Sequence, residues 1–419
     1  MTDYKRVLRD LFDSAVKAAL PKETIKNHLP KPPVGRTIII GCGKAAATMA
    51  QAFEKAWNAP VEGIVVTRYG HSVDTRYIEV LGASHPIPDE AGMAATKKIK
   101  ELVSNLTEDD LVVFLVSGGG SSLFTLPPKE VNLKDKQSLN SKLLQSGANI
   151  AEMNCVRKHL SLVKGGHLAK IIKPARCVTL AISDVPGDDL SIIASGPTEP
   201  DQTTFGDALN ILKKYSIDEP KPIVEFLKIA QDETPKKDDP CFKLVDSHLI
   251  ATPQMSLEAA AQTARNHGYT PLILGDSIEG EAKEVAMVHA GITKQIIHHG
   301  QPTTRPCVIL SGGETTVTVK GTGRGGRNAE FLLSLAVQLN GLPNVWAFAG
   351  DTDGIDGSED NAGAIIGPDT LARARELELD AKQMLADNNA YSFFKTLEDL
   401  VVTGPTLTNV NDFRAIVIT

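Results

Sequence analysis

No cysteine pair at zinc or disulfide spacing, no basic block and no long hydrophobic run occurs in this chain of 419 residues, and each absence removes a class of function. The 5 cysteines, Cys42, Cys155, Cys177, Cys241 and Cys307, are odd in number, scattered and without a Cys-x-x-Cys pair. Neither a disulfide framework nor a thiolate zinc site is indicated, and a reducing cytoplasm is the expected location. Lys plus Arg is 44 against 51 for Asp plus Glu, a net charge of −7. With no aromatic and basic residues interleaved to track a phosphate backbone, nucleic acid is not an expected partner. The most apolar stretch, 111–116, runs into Ser117 and Gly118, far short of the roughly 18 residues that span a bilayer, so no membrane partner is expected. No Gly-x-Ser-x-Gly surrounds the serines of the Gly-rich stretch that follows, which removes the nucleophile elbow of a hydrolase.

What is present is globular: 42% hydrophobic and 23% charged residues, with 34 Gly and 24 Pro spread along the chain. At about 150 residues per domain, the length suggests two to three domains. Tyr4, Leu8, Leu11, Phe12, Ala15, Val16 and Ala19 recur at helical spacing with charges between them, which predicts an amphipathic docking helix rather than a signal peptide. Short apolar runs at 37–40, 63–67, 78–81, 111–116 and 177–182 read as strands, with helices after Gly43 and over 89–106. Runs such as Ile38-Ile39-Ile40 have no polar face, so they belong to parallel α/β layers covered on both sides. The charged, Pro-flanked stretch 231–240 has nothing to bury and predicts a domain boundary, giving domains 1–235 and 241–419. Beyond it a second α/β rhythm follows, with strands at 248–251 and 271–274 and helices at 256–266 and 280–297.

The chemistry sits where strands empty into turns. Gly41-Cys42-Gly43-Lys44-Ala45-Ala46 follows a strand and opens a helix, where backbone amides and the helix N-terminus favour an anion. It fits the dinucleotide pattern formally, but Thr67, Arg68 and Tyr69 stand where an acidic residue should hold a ribose. It is not a P-loop, because Ala45 replaces the magnesium-binding Ser or Thr. Ser117-Gly118-Gly119-Gly120-Ser121-Ser122 spends three glycines after a buried strand, which points to something that must come close. Arg157, Lys158, His159 and Lys164 concentrate positive charge that can collect a carboxylate or phosphates. Asp184, Asp188 and Asp189 follow one strand and Asp351, Asp353 and Asp356 another; such carboxylates suit magnesium, or serve as Asx turns. Arg324 and Arg327 lie among four glycines before a helix at 328, placed to clamp phosphate or carboxylate, or in a flexible loop. Together these are the parts of phosphoryl transfer: positioning, magnesium and positive charge.

The ordered motifs Gly-Cys-Gly-Lys-Ala (from Gly41), Ser-His-Pro-Ile-Pro-Asp (Ser84), Ser-Gly-Gly-Gly-Ser-Ser (Ser117), Glu-Met-Asn-Cys-Val-Arg-Lys-His-Leu-Ser (Glu152), Ser-Asp-Val-Pro-Gly-Asp-Asp (Ser183), Ser-Gly-Gly-Glu-Thr-Thr (Ser311), Gly-Gly-Arg-Asn-Ala-Glu-Phe (Gly325), Thr-Asp-Gly-Ile-Asp-Gly (Thr352) and Thr-Gly-Pro-Thr-Leu-Thr-Asn-Val-Asn-Asp (Thr403) cover nearly the whole chain. In them the sequence resembles the glycerate 2-kinases that carry a C-terminal MOFRL region, here at about 305–415. The departures are small: Ser358-Glu359 for Pro-Thr, Leu407 for Gly and His167 for Arg. The resemblance implies a Rossmann-like N-terminal α/β domain and a MOFRL-type C-terminal α/β domain with the active site in the cleft between them. It implies ATP, Mg2+ and transfer to the 2-hydroxyl of D-glycerate, and a homodimer is compatible with it. It makes Lys44 and Arg327 the catalytic cationic pair, with Gly41, Gly43, Ser117, Gly118, Gly119, Gly120 and Ser121 at the nucleotide. Asn154, Arg157, Glu314 and Asn328 then fall to substrate, and Asp184, Asp188 and Asp353 to magnesium. Two other readings stand beside it: an NAD(P)H-dependent hydroxypyruvate reductase, with Arg68 as partner for an NADP phosphate, and a non-catalytic sugar-acid or nucleotide sensor.

Overall fold

A strand with no polar face is stable only when both faces are covered. In the computed structural model, which describes residues 3–230 and 232–419, β1 (Thr37–Cys42) is buried at every position. With β2 (Glu62–Arg68), β3 (Ile78–Ala83), β4 (Leu111–Val116), β5 (Arg176–Ile182) and β6 (Val245–Ala251) it forms a sheet of order β3-β2-β1-β4-β5-β6. β1 pairs in parallel with β2 and β4, β2 with β3, and β4 with β5. The expected parallel layer is present, and its order reverses between β1 and β4, the place where open α/β sheets receive ligands at their carboxyl ends. The helix read at 89–106 runs Glu90–Leu102, capped by Asp89, whose carboxylate accepts from the Gly92 amide. Four further helices, Leu133–Gln145, Ile150–His159, Phe205–Lys214 and Lys221–Ile229, share an apolar cluster of their own around Leu139, Leu143, Val156 and Leu212.

The division of the chain differs from the expected one. One compact unit is 21–250; the other joins 251–419 to the residues up to Leu20. The charged stretch is no linker because its charges are used inside the first unit. Glu233 meets His159 Nε2 at 2.8 Å, Lys170 pairs with Asp232 at 2.8 Å, and the Thr234 hydroxyl donates to Asp201 at 3.1 Å. Gln231, within that stretch, lies outside the described residues.

In the second unit β7 (Thr270–Gly275), β9 (Cys307–Gly313), β11 (Val345–Asp351), β12 (Gly363–Ile366), β13 (Leu400–Val401) and β14 (Asp412–Ile418) form a sheet of order β13-β12-β11-β14-β9-β7. β8 (Gly280–Glu281) and β10 (Thr315–Thr316) pair separately. Within the six-stranded sheet, among the described residues, only β7 with β9 is parallel, as is the separate β8–β10 pair; β14 runs antiparallel to β9 and β11, and β12 antiparallel to β11 and β13. The expected parallel pattern therefore does not extend to this half. β11 returns directly as β12 through the acidic turn, with no crossover helix between them, and a parallel pair needs such a crossover.

The docking helix forms as Tyr4–Ala18, capped by the Asp3 side chain. It covers this second sheet: Phe12 lies 4.7 Å from the Phe348 ring, Tyr4 stacks on Trp346 at 3.7 Å, and Leu8 and Leu11 are fully buried. Among the described residues no helix is long and apolar enough to cross a membrane. All five cysteines are free and buried.

Candidate functional site

The turn after β1 packs against the turn after β4 so closely that its amides are consumed. The Gly43 amide donates to Val66 O at 3.2 Å, the Lys44 amide to Gly118 O at 2.8 Å, and the Ala45 amide to Ser117 Oγ at 3.0 Å. Gly41 and Gly43 therefore do not present the amide cradle expected of them. Their smallness serves packing: a Cβ on Gly43, at φ 129°, would collide with Ser117 Oγ, and one on Gly41 would stand 2.5 Å from Leu115 O. The same closeness fills the space a pyrophosphate needs at the second glycine of a dinucleotide turn.

The three glycines after β4 each admit a neighbour from another loop. A Cβ on Gly118 would overlap the Asp184 carboxylate; on Gly119, at φ 79°, it would lie 3.0 Å from His85 Nε2 and 3.4 Å from Lys44 Cγ; on Gly120 it would lie 2.6 Å from Ala194 Cβ. The loop is thus a hub at the carboxyl edge of the sheet where Lys44, Ser117, Asp184 and His85 meet. His85 entered the sequence reading only as part of a motif, with no role. Burial, together with Lys44, Arg68 and His71 nearby, lowers its pKa to about 4, so it is neutral at neutral pH. Ser121 Oγ is 2.9 Å from Ser195 Oγ, which donates to Asn154 Oδ1 at 3.2 Å. That relay ties Asn154 to the loop, and no local pattern around Ser195 announced it. Arg157 Nε and Nη2 both donate to Asn140 Oδ1, and Gly119, Ser121 and Arg157 face one cavity.

The expected basic patch divides. Lys158 pairs with Asp201 at 3.3 Å and His159 with Glu233, while Arg157 and Lys164 turn to the cavity. Among the carboxylates, Asp188 sits in a left-handed turn at φ 56° and Asp353 Oδ1 accepts from the Ile355 amide at 2.9 Å. Among the described residues no three His, Cys, Asp or Glu side chains gather into a metal cage. Asp184 is the carboxylate set against the glycine loop.

In the second unit Arg327 opens the helix Arg327–Leu339 and is held on three sides. Nε donates to Asp412 at 2.7 Å, Nη1 to Glu314 at 2.8 Å and Nη2 to Asp351 at 2.9 Å. Burial opposes its charge, yet Asp412, Asp351 and Glu314 raise its pKa above the ordinary guanidinium range. Asn328 is fully buried: its Nδ2 donates to Asp412 at 2.8 Å, and Asp356 accepts from the amides of Asn328 at 3.0 Å and Ala329 at 2.8 Å. Burial pushes Asp356 up to about 6 and, with Asp353 beside it, holds Asp351 well above the usual carboxylate range. Arg414, 1% exposed, meets Asp412 at 2.6 Å. Arg324 pairs with Glu359 and lies over the Tyr391 ring, so only Arg327 of the two loop arginines is gathered into the carboxylate cluster. Asp351 and Asp356 were visible as strand-end carboxylates and Asp412 as the last residue of a quoted motif; that Asp351 and Asp412 share Arg327 was not visible.

A family profile described as a domain of unknown function (DUF4147) matches residues 7–228, and that of the MOFRL family matches 307–412. A D-glycerate 2-kinase of Thermotoga maritima is 41% identical over 412 residues, 97% of each chain. A protein of Agrobacterium vitis is 53% identical over 417 residues, 99% of this chain and 94% of its own; its hydroxypyruvate reductase name is a provisional one. The solved glycerate kinase of Thermotoga maritima matches with a TM-score of 0.93 at 40% identity, covering 99% of each chain.

Proposed function

This chain belongs to the glycerate 2-kinase family that carries a MOFRL region, and from that premise we propose that it transfers the terminal phosphoryl group of ATP to the 2-hydroxyl of D-glycerate with Mg2+, giving 2-phosphoglycerate and ADP. The observation that carries the residue roles is the meeting of Lys44 and Asp184 at the Gly118–Gly119 turn, where the strand order reverses. Magnesium takes one or two carboxylates and completes its shell with phosphate oxygens and water, so a single carboxylate at the glycine turn is enough to begin its site. Asp184 is the residue to hold it; the ion, when bound, neutralises charge on the phosphates. Lys44 holds the oxygens of the transferring group, a preorganised charge that needs no reorientation at the moment of reaction. Arg327 is kept charged and aimed by Asp351 and Asp412. Glu314, its most exposed partner at 48%, is the one a substrate anion displaces, and Asn328 acts from behind by fixing Asp412. The reductase reading loses ground because Ser117 fills the second-glycine space and β2 ends in Arg68 with no carboxylate.

The test is ADP formation from ATP and magnesium with and without D-glycerate, beside NADH and NADPH oxidation with hydroxypyruvate on the same preparation. Glycerate-dependent ADP with 2-phosphoglycerate as product is expected. Nicotinamide oxidation without ADP would overturn the kinase assignment.

A further inference from the structure

The turn at 193–196 is bent in a way its side chains do not favour. Ala194 at φ 51°, Ser195 at φ 63° and Gly196 at φ 60° are three left-handed residues in succession, and the first two carry a Cβ. Such backbone costs free energy and persists only where its surroundings hold it. Here a ladder of donors from one neighbouring segment does so. Lys164 Nζ donates to Ala194 O at 3.4 Å, and the amides of Gly165, Gly166 and Leu168 donate to the carbonyls of Ser195, Gly196 and Pro197 at 3.0, 2.9 and 3.1 Å. Lys164 is fully buried and its Nζ also donates to Ser121 O at 2.8 Å, so one side chain pins the bent turn to the glycine turn.

What the bend achieves is the placement of a single hydroxyl. Ser195 is fully buried and stands between Ser121 Oγ at 2.9 Å and Asn154 Oδ1 at 3.2 Å. A hydroxyl has one proton to give. The Asn154 oxygen can only accept, so Ser195 spends its proton there and receives one from Ser121. Ser121, its own proton used, faces the cavity as an acceptor. Phosphate oxygens are acceptors too and have nothing to offer it; its match is a group that carries an O–H. Beside Lys44, which the reading above sets on the transferring phosphoryl group, the O–H that must come close belongs to the alcohol. We propose that Ser195 is a positioning residue that fixes the Ser121 hydroxyl as an acceptor, and that Ser121 receives the hydrogen bond of a glycerate hydroxyl. This assignment rests on the kinase reading, and it moves Ser121 from the nucleotide to the alcohol.

The experiment is a double-mutant cycle on Ser121→Ala, Ser195→Ala and the pair, with kcat and the KM values of glycerate and ATP measured separately. Ser121→Ala should lower kcat/KM for glycerate about tenfold, the size of one hydrogen bond, with the ATP KM within about twofold. Ser195→Ala should lower it about three- to tenfold on its own and add nothing to Ser121→Ala, because its effect passes through the hydroxyl already removed. Damage to the fold would multiply instead, so a full further loss in the pair would overturn the positioning role. A rise in ATP KM alone would return Ser121 to the nucleotide, and unchanged kinetics in Ser121→Ala would take it out of the reaction; either overturns the proposal. Should Ser195→Ala fail to fold, Ser195→Gly replaces it, since glycine lacks the hydroxyl and adopts φ 63° without a Cβ penalty. Neutron diffraction from the unmodified protein checks the relay with no substrate present. The deuterium on Ser121 Oγ should lie on the line to Ser195, and a Ser195 deuterium pointing at Ser121 would overturn the relay. The expected deuterium positions without glycerate-dependent ADP would sink the kinase reading, and the alcohol with it, while leaving the relay standing.

Discussion

The two units bury positive charge in opposite ways. In the first, Lys136, Arg157 and Lys164 rest on carbonyl and amide oxygens; in the second, Arg327 is gripped by Asp412, Glu314 and Asp351. Charge balanced by the protein's own carboxylates fixes a geometry whether or not a ligand is present. Amines buried without a counter-charge instead hold their protons less tightly, and burial lowers Lys136 to about 7 and Lys164 well below the usual amine range. The second unit therefore keeps its buried charge through fixed ion pairs, and the first lowers the proton affinity of the amines it buries.

The comparison breaks most visibly at Arg327. Arg327→Met leaves Asp412 with Arg414 alone and Asp351 without its cation, and should cost about 3–5 kcal/mol of stability, measured by urea titration. Lys136→Met, which deletes an unbalanced charge, should cost no stability in the same assay. Equal losses in the two variants would abolish the distinction drawn above. Next in size, Lys44→Ala should lower turnover about a hundredfold or more with the fold intact by circular dichroism; near-normal turnover would take Lys44 out of the mechanism. A smaller effect sharpens the picture of the second unit's internal balance. His289, 2% exposed, sits between Val285 O and Ser311 Oγ, and burial lowers its pKa to about 4. Because the unfolded chain binds the proton near pH 6.5 and the folded one near 4, His289 favours folding above that window and this contribution fades as pH falls through it. Its share of the loss between pH 7 and 4.5 should be about 2 kcal/mol, and His289→Gln should flatten the pH dependence of melting by that amount. An unchanged slope would show that the ring is protonated without penalty.

Much of the first sheet was legible because its central strands are apolar on both faces, a pattern local to each strand. The second sheet was not. β12 is four residues beginning Gly-Ala, β13 is two, and β14 buries Asp412 and Arg414 among its apolar residues. What pairs these segments is contact at long range, which leaves no periodicity behind. The site divides along the same line. Lys44, the glycine loop and Asp184 each follow a strand end and could be read from that context. Asp412 lies 85 residues from Arg327 and Asp351 lies 24 away; a carboxylate at a strand end suits a metal, a turn or an arginine equally well, and only the fold chooses. The glycines misled in part, since a small residue signals a close approach without saying whether ligand or protein makes it.

The helix Tyr4–Ala18 adds a matter of timing. Phe12 has Phe413 among its ring neighbours at 5.9 Å, a residue about 400 positions further along the chain. At ribosomal rates of about 5–20 residues per second, roughly 20–80 s separate the two. Through that interval the amphipathic helix has no sheet to cover, while residues 21–250 can fold behind it. Whatever shields its apolar stripe during synthesis acts on the core of a unit whose sheet is made much later than the helix.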